Sequence, residues 1–97
     1  MKWSDLTWQK HSFSSAQHAR LSFGDIYELS IVQELNEPGL YELAIFQHGE
    51  FIQLPGIHPE GDEPLDDVLR FQTQEEVVGI VRKLESITGE SPKNVYE

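Results

Sequence analysis

Two runs of strict alternation constrain this chain more than any other feature. Tyr27, Leu29 and Ile31 alternate with Glu28 and Ser30, and Tyr41, Leu43 and Ile45 alternate with Glu42 and Ala44. A period of two puts all six apolar side chains on one face of a sheet and leaves the other face to polar groups. Between the runs lies Asn36-Glu37-Pro38-Gly39. Proline presets φ near about −65° and glycine accepts positive φ, so Pro-Gly suits the centre of a tight turn. The chain therefore folds back on itself as an antiparallel meander.

Register follows from parity. Odd positions must pair with odd, because a slip of one residue would turn every apolar side chain to water. The connection then holds an odd number of residues. A symmetric pairing sets Ile31 opposite Ile45 and Leu35 opposite Tyr41. It also sets Glu34 opposite Glu42 on the second face, an unfavourable pair unless that face is well solvated, the register differs or a cationic partner meets it. Gly24-Asp25, between Phe23 and Ile26, reads as a two-residue hairpin turn, and His48-Gly49 carries a signal of the same kind. The expected strands cover about 19–23, 26–35, 40–47 and 51–54.

A helix follows. Thr73-Gln74-Glu75-Glu76 is a capping box: the Thr73 hydroxyl accepts from the Glu76 amide, and the Glu76 carboxylate accepts from the Thr73 amide. Val77, Ile80, Val81, Leu84 and Ile87 then make one apolar stripe at helical spacing. Gly89 caps the C-terminus and Pro92 prevents resumption, so the helix spans about 74–88. Val68 to Phe71 reads as a short strand or as the lead-in to this helix. The expected fold is α+β: an antiparallel sheet of three to four strands with one C-terminal helix on its apolar face.

The flanks are less regular. Trp3, Trp8 and Phe13 stand five apart, a spacing that fits neither helix nor strand. They read as aromatic caps over one end of the core, with an interface arm as the alternative. Residues 55–67 carry three prolines and two glycines and read as a loop. Residues 91–97 read as a loose tail. The 97 residues make a single domain, which buries about 60–65% of its unfolded surface.

Charge narrows the partners. The chain has 17 acidic and 7 basic residues, a net charge of −10. No Lys or Arg occurs between Arg20 and Arg70, whereas eleven carboxylates do. Such a surface repels nucleic acid and membranes and attracts a basic protein surface. Glu60, Asp62, Glu63, Asp66 and Asp67 form the densest acidic stretch and are the candidate interaction residues. Their spacing does not match a calcium-binding EF-hand loop, so they are assigned no metal. Without cysteine there is neither a disulfide framework nor a thiolate metal site. No apolar run reaches membrane-spanning length or resembles a signal peptide, and the expected location is cytoplasmic.

Catalytic patterns are missing from the sequence. Gly-x-Ser-x-Gly and the phosphate-binding glycine motifs do not occur. His11, His18, His48 and His58 include no pair spaced to put two ligands on one helix face. The chain is read as non-enzymatic and cofactor-free.

Phe23 to Val32, Gly39 to Phe46 and Asp66 to Val81 resemble the strand, turn and cap phrases of a group of short phage and prophage proteins. The likeness covers about half the chain and implies a phage-related setting. That group has no established function, so no mechanism comes with it. The loop at 55–67 is longer than the pattern, and nothing is carried over there.

Three functions fit these features. The first is an acidic protein that binds another protein through its carboxylates or its free sheet face. The second is a nucleic-acid mimic that occupies the DNA site of a DNA-binding protein. The third is a structural subunit that joins copies of itself into a homo-oligomer through an edge strand or the free face.

Overall fold

Even parity in the central hairpin decides how the sheet is assembled. A computed structural model describes residues 2–10, 17–34, 37–52, 54 and 68–95. In chain order these form β1 (Gln9–Lys10), β2 (Gln17–Phe23), β3 (Tyr27–Gln33), β4 (Leu40–Gln47), β5 (Glu50–Phe51), β6 (Val68–Thr73), α1 (Gln74–Thr88) and β7 (Lys93–Asn94). A short 3-10 turn, Trp3–Asp5, precedes them. All pairings are antiparallel, in the order β1-β2-β3-β4-β5, with β6 also on β4 and β7 also on β2.

The α+β class is as expected, but the sheet has more strands than the three to four anticipated. Three long strands lie where the alternation puts them. The fourth is β6, in the segment left open between strand and helix lead-in, while the strand expected at 51–54 shrinks to Glu50–Phe51. The additional short strands form because distant segments supply their partners, which local patterning does not reveal.

Two registers differ from expectation. In the central hairpin Ile31 pairs with Leu43 and Leu29 with Ile45, two residues from the symmetric pairing. A shift of two keeps the faces, and the Glu34 amide closes a five-residue connection by donating to the Leu40 carbonyl at 2.9 Å. Within that connection the Leu40 amide donates to the Glu37 carbonyl around Pro38 and Gly39, whose φ is 85°. The new register sets Val32, not Glu34, opposite Glu42 and so removes the like-charge pair. In the first hairpin Phe23 pairs with Tyr27, which makes a three-residue loop in place of the two-residue one. Parity explains the change. A two-residue loop would set odd opposite even and split Leu21 and Phe23 from Leu29 and Ile31. The third turn is as the sequence suggests: Gln47 pairs with Glu50, and His48 and Gly49 both have positive φ, as a two-residue hairpin loop with matching twist requires.

The helix matches its expected span. Thr73 and Glu76 complete the capping box, and Gly89 adopts φ 71° as the C-terminal cap. Val77, Ile80, Val81 and Leu84 pack onto Ala19, Leu21, Phe23, Leu29, Ile31, Leu43 and Ile45, all buried. Ile87 departs from the stripe and is 54% exposed. Leu6, Trp3 and Trp8 extend the same layer, with both indoles against Tyr41 at centroid distances of 4.9 and 5.7 Å. The tryptophans thus cap one end of the core, and Phe13 lies outside the described residues. Segment 91–95, read as loose, is tied down instead: Lys93 and Asn94 pair with Ser22 and Leu21. Among the described residues no helix is long and apolar enough to cross a membrane.

Candidate functional site

The helix and the N-terminal turn cover one face of the sheet, and no described element covers the other. Its residues follow from the registers, because partners directly opposite share a face. One row across the strands reads Lys93, Ser22, Glu28, Phe46, Phe51. The next holds Arg20, Ser30, Ala44 and Val68, and a third holds Gln9, His18, Val32 and Glu42. The middle row carries two small side chains, Ser30 and Ala44, at its centre.

Polar groups on this face are organised in pairs. Arg20 forms an ion pair with Glu28 on the neighbouring strand. Arg70 approaches Glu42 at 3.6 Å, and a His18 ring nitrogen shares a 2.9 Å hydrogen bond with the Ser30 hydroxyl. The two arginines that bound the cation-free stretch of sequence therefore both turn back onto it. Glu28 and Glu42 thus each have a cationic neighbour from within the chain.

At one end of the face, Phe46 and Phe51 stack with ring centroids 4.5 Å apart. Phe51 is 52% exposed. Beside them a cleft of about 190 Å³ is lined by Ser22, the Gly24–Ile26 turn, Tyr27, Glu28, Phe46, His48 and Gly49. Gly24 takes φ 60°, a left-handed conformation that suits glycine, and a Cβ there would lie 2.9 Å from Cγ of Glu90 and push that exposed side chain aside.

A second feature lies on the outer strand β6. Arg70 and Phe71 both lie opposite the single residue Glu42, so the strand carries a bulge. Phe71 takes φ 57°, a left-handed conformation unusual for a large side chain, and is 57% exposed. Glycine is the usual occupant of such a site.

The candidate interaction residues Glu60, Asp62, Glu63, Asp66 and Asp67 lie outside the described residues. Sequence reasoning missed the aromatic pair. Its signal was present: a two-residue turn at His48-Gly49 sets Phe46 directly opposite Phe51. Among the described residues no group of three or more His, Asp or Glu side chains is placed to hold a metal ion. No protein-family model, curated protein sequence or solved structure matches the chain.

Proposed function

We propose that this chain is a non-catalytic protein that acts by binding another protein through the second face of its sheet. The observation that carries this reading is the exposed Phe51, stacked on the half-buried Phe46, on a face that no described element covers. Exposed aromatics beside polar groups are the usual anchors of protein interfaces. The net charge of −10 supports a partner with a basic surface. The acidic stretch Glu60, Asp62, Glu63, Asp66 and Asp67 is proposed as the steering contact for the same partner. The phage or prophage setting of the proposal rests on the resemblance of the strand and cap phrases alone.

Affinity capture from nuclease-treated extract tests it, comparing wild type with Phe51→Asp and with a charge reversal of the five acids. Phe51 is exposed enough for the first change to leave the fold intact, which a thermal melt verifies. A protein captured by wild type and lost with Phe51→Asp is the expected result. Loss with the charge reversal at low salt alone would assign the acids a steering role. Undiminished capture by Phe51→Asp would remove this face from the site. Displacement of the partner by added DNA would point to the mimic reading instead.

A further inference from the structure

We propose that the uncovered sheet face closes on the same face of a second copy of this chain, in a two-fold dimer that an external partner must displace. The dimer goes beyond the partner reading and stands or falls without it. Placement of the exposed aromatics argues for a copy as the occupant. Along the outer side of β4, Phe51 lies opposite Phe46, Val68 opposite Ala44, and the bulge at Arg70 and Phe71 opposite Glu42. Phe51 and Phe71, 52% and 57% exposed, therefore mark the two ends of one border of the face. Each lies two residues of β4 from the Ala44 row, so they stand about 13 Å apart at about 3.3 Å per residue. A two-fold axis across the strands through that row exchanges the ends. Phe51 of each copy then meets Phe71 of the other, the reciprocal contact that an isologous interface requires, and Ala44 and Val68 meet their own counterparts.

Charge and size agree with this occupant. Among the described residues the face sets Lys93, Arg20 and Arg70 against Glu28, Glu42 and, two residues beyond Val32 on the same ladder, Glu34. It is balanced in a chain of net charge −10, so two such faces meet without net repulsion. Arg20 lies in the middle row, on the axis, where its own Glu28 neutralises it. Five strands at about 4.8 Å and strands of seven residues at about 3.3 Å give a footprint of about 550 Å². Two footprints, about 1,100 Å², just exceed the roughly 1,000 Å² of a specific interface. The dimer is accordingly weak, and a partner with better contacts takes the face from it.

Sedimentation equilibrium of the whole chain at low and high salt tests the dimer, from about 10 µM to about 1 mM, a range that brackets weak association. Wild type is expected to pass from monomer to dimer as concentration rises. Added salt should leave the dimer intact or strengthen it, because it screens the net charges of two acidic chains. Phe51→Asp and Phe71→Lys should each weaken the dimer by about tenfold or more, the loss expected of a buried aromatic anchor. Mixed together, the two variants should associate again, because one contact becomes Asp on Lys and the other stays Phe on Phe. Thermal melts of the single variants verify that each is folded. A wild type that stays monomeric, a dimer dissolved by salt, a dimer that survives both substitutions, or a mixture that stays monomeric would overturn the proposal. Capture lost with Phe51→Asp in a chain that never dimerises would remove the dimer and leave the partner reading standing. A face dimer with undiminished capture by Phe51→Asp would do the reverse.

Discussion

Phe71 sits in a conformation that its side chain disfavours, and little burial compensates. Left-handed backbone costs a non-glycine residue about 1–2 kcal/mol, because Cβ crowds the following carbonyl. With the residue 57% exposed, the ring recovers only part of that by leaving water. The bulge itself is required: β6 must enter the helix through the Thr73 cap while keeping Leu69 opposite Leu43 on the core face. One extra residue between those points reconciles the two demands. Phe71→Gly is therefore expected to be more stable than Phe71→Ala by about 1 kcal/mol, since both remove the ring and only glycine relieves the left-handed strain. Urea titration of the two variants checks this, and equal stabilities for glycine and alanine would show that the backbone at 71 is unstrained. A bulky aromatic kept where glycine is the usual occupant is the pattern of strain stored at working surfaces. Phe71 is thus the residue to compare with Phe51 in partner capture.

The helix is the element whose sequence and structure agree most closely, and the reason is locality. Its start depends on Thr73 and Glu76, three residues apart, whose mutual hydrogen bonds measure 3.1 and 3.2 Å. Its end depends on Gly89 alone adopting positive φ. Thr73→Ala is expected to cost about 1 kcal/mol by leaving the Glu76 amide without its hydroxyl acceptor, and thermal denaturation would register it as a drop in Tm. An unchanged Tm would mean that water caps this helix equally well. The strands were legible in position because alternation is also local, but their pairing was less so. Parity alone fixes which side chains share a face, and it cannot separate registers that differ by two. The choice between Leu43 and Ile45 as the partner of Ile31 depends on where the Pro38-Gly39 turn falls within its five-residue connection. The same parity test, applied to the first hairpin, selects the three-residue loop, since Leu21 and Phe23 must join Leu29 and Ile31 in the core. The candidate site was half legible: the His48-Gly49 turn was recognised, and the pairing of Phe46 with Phe51 is its consequence. The carboxylates chosen from sequence density had no such geometric rule behind them.

At the scale of the whole molecule, the Asn94 side chain ties the N-terminal segment to the C-terminal one. The Asn94 amide oxygen accepts from the Thr7 N–H at 3.0 Å, and its nitrogen donates to the Asp5 carbonyl at 2.8 Å. Next to it, the Val95 N–H donates to the Arg20 carbonyl at 2.9 Å, which fixes this segment to the edge of β2. Asn94 pairs with Leu21, so its side chain lies on the core face, where Trp3 and Trp8 close over Tyr41. No local pattern announces contacts across 87 and 89 residues of sequence, and this is why the tail reads as loose when taken alone. The arrangement makes the aromatic lid conditional on the C-terminal strand. Asn94→Ala is expected to cost about 1 kcal/mol, the effect of losing one part-buried and one exposed hydrogen bond. It should also shift tryptophan emission to longer wavelength under native conditions, because both indoles depend on the segment that Asn94 anchors. An Asn94→Ala protein with native tryptophan emission would show that Trp3 and Trp8 are held by Tyr41 and the core alone, with the C-terminal strand contributing pairing to β2 and nothing to the lid.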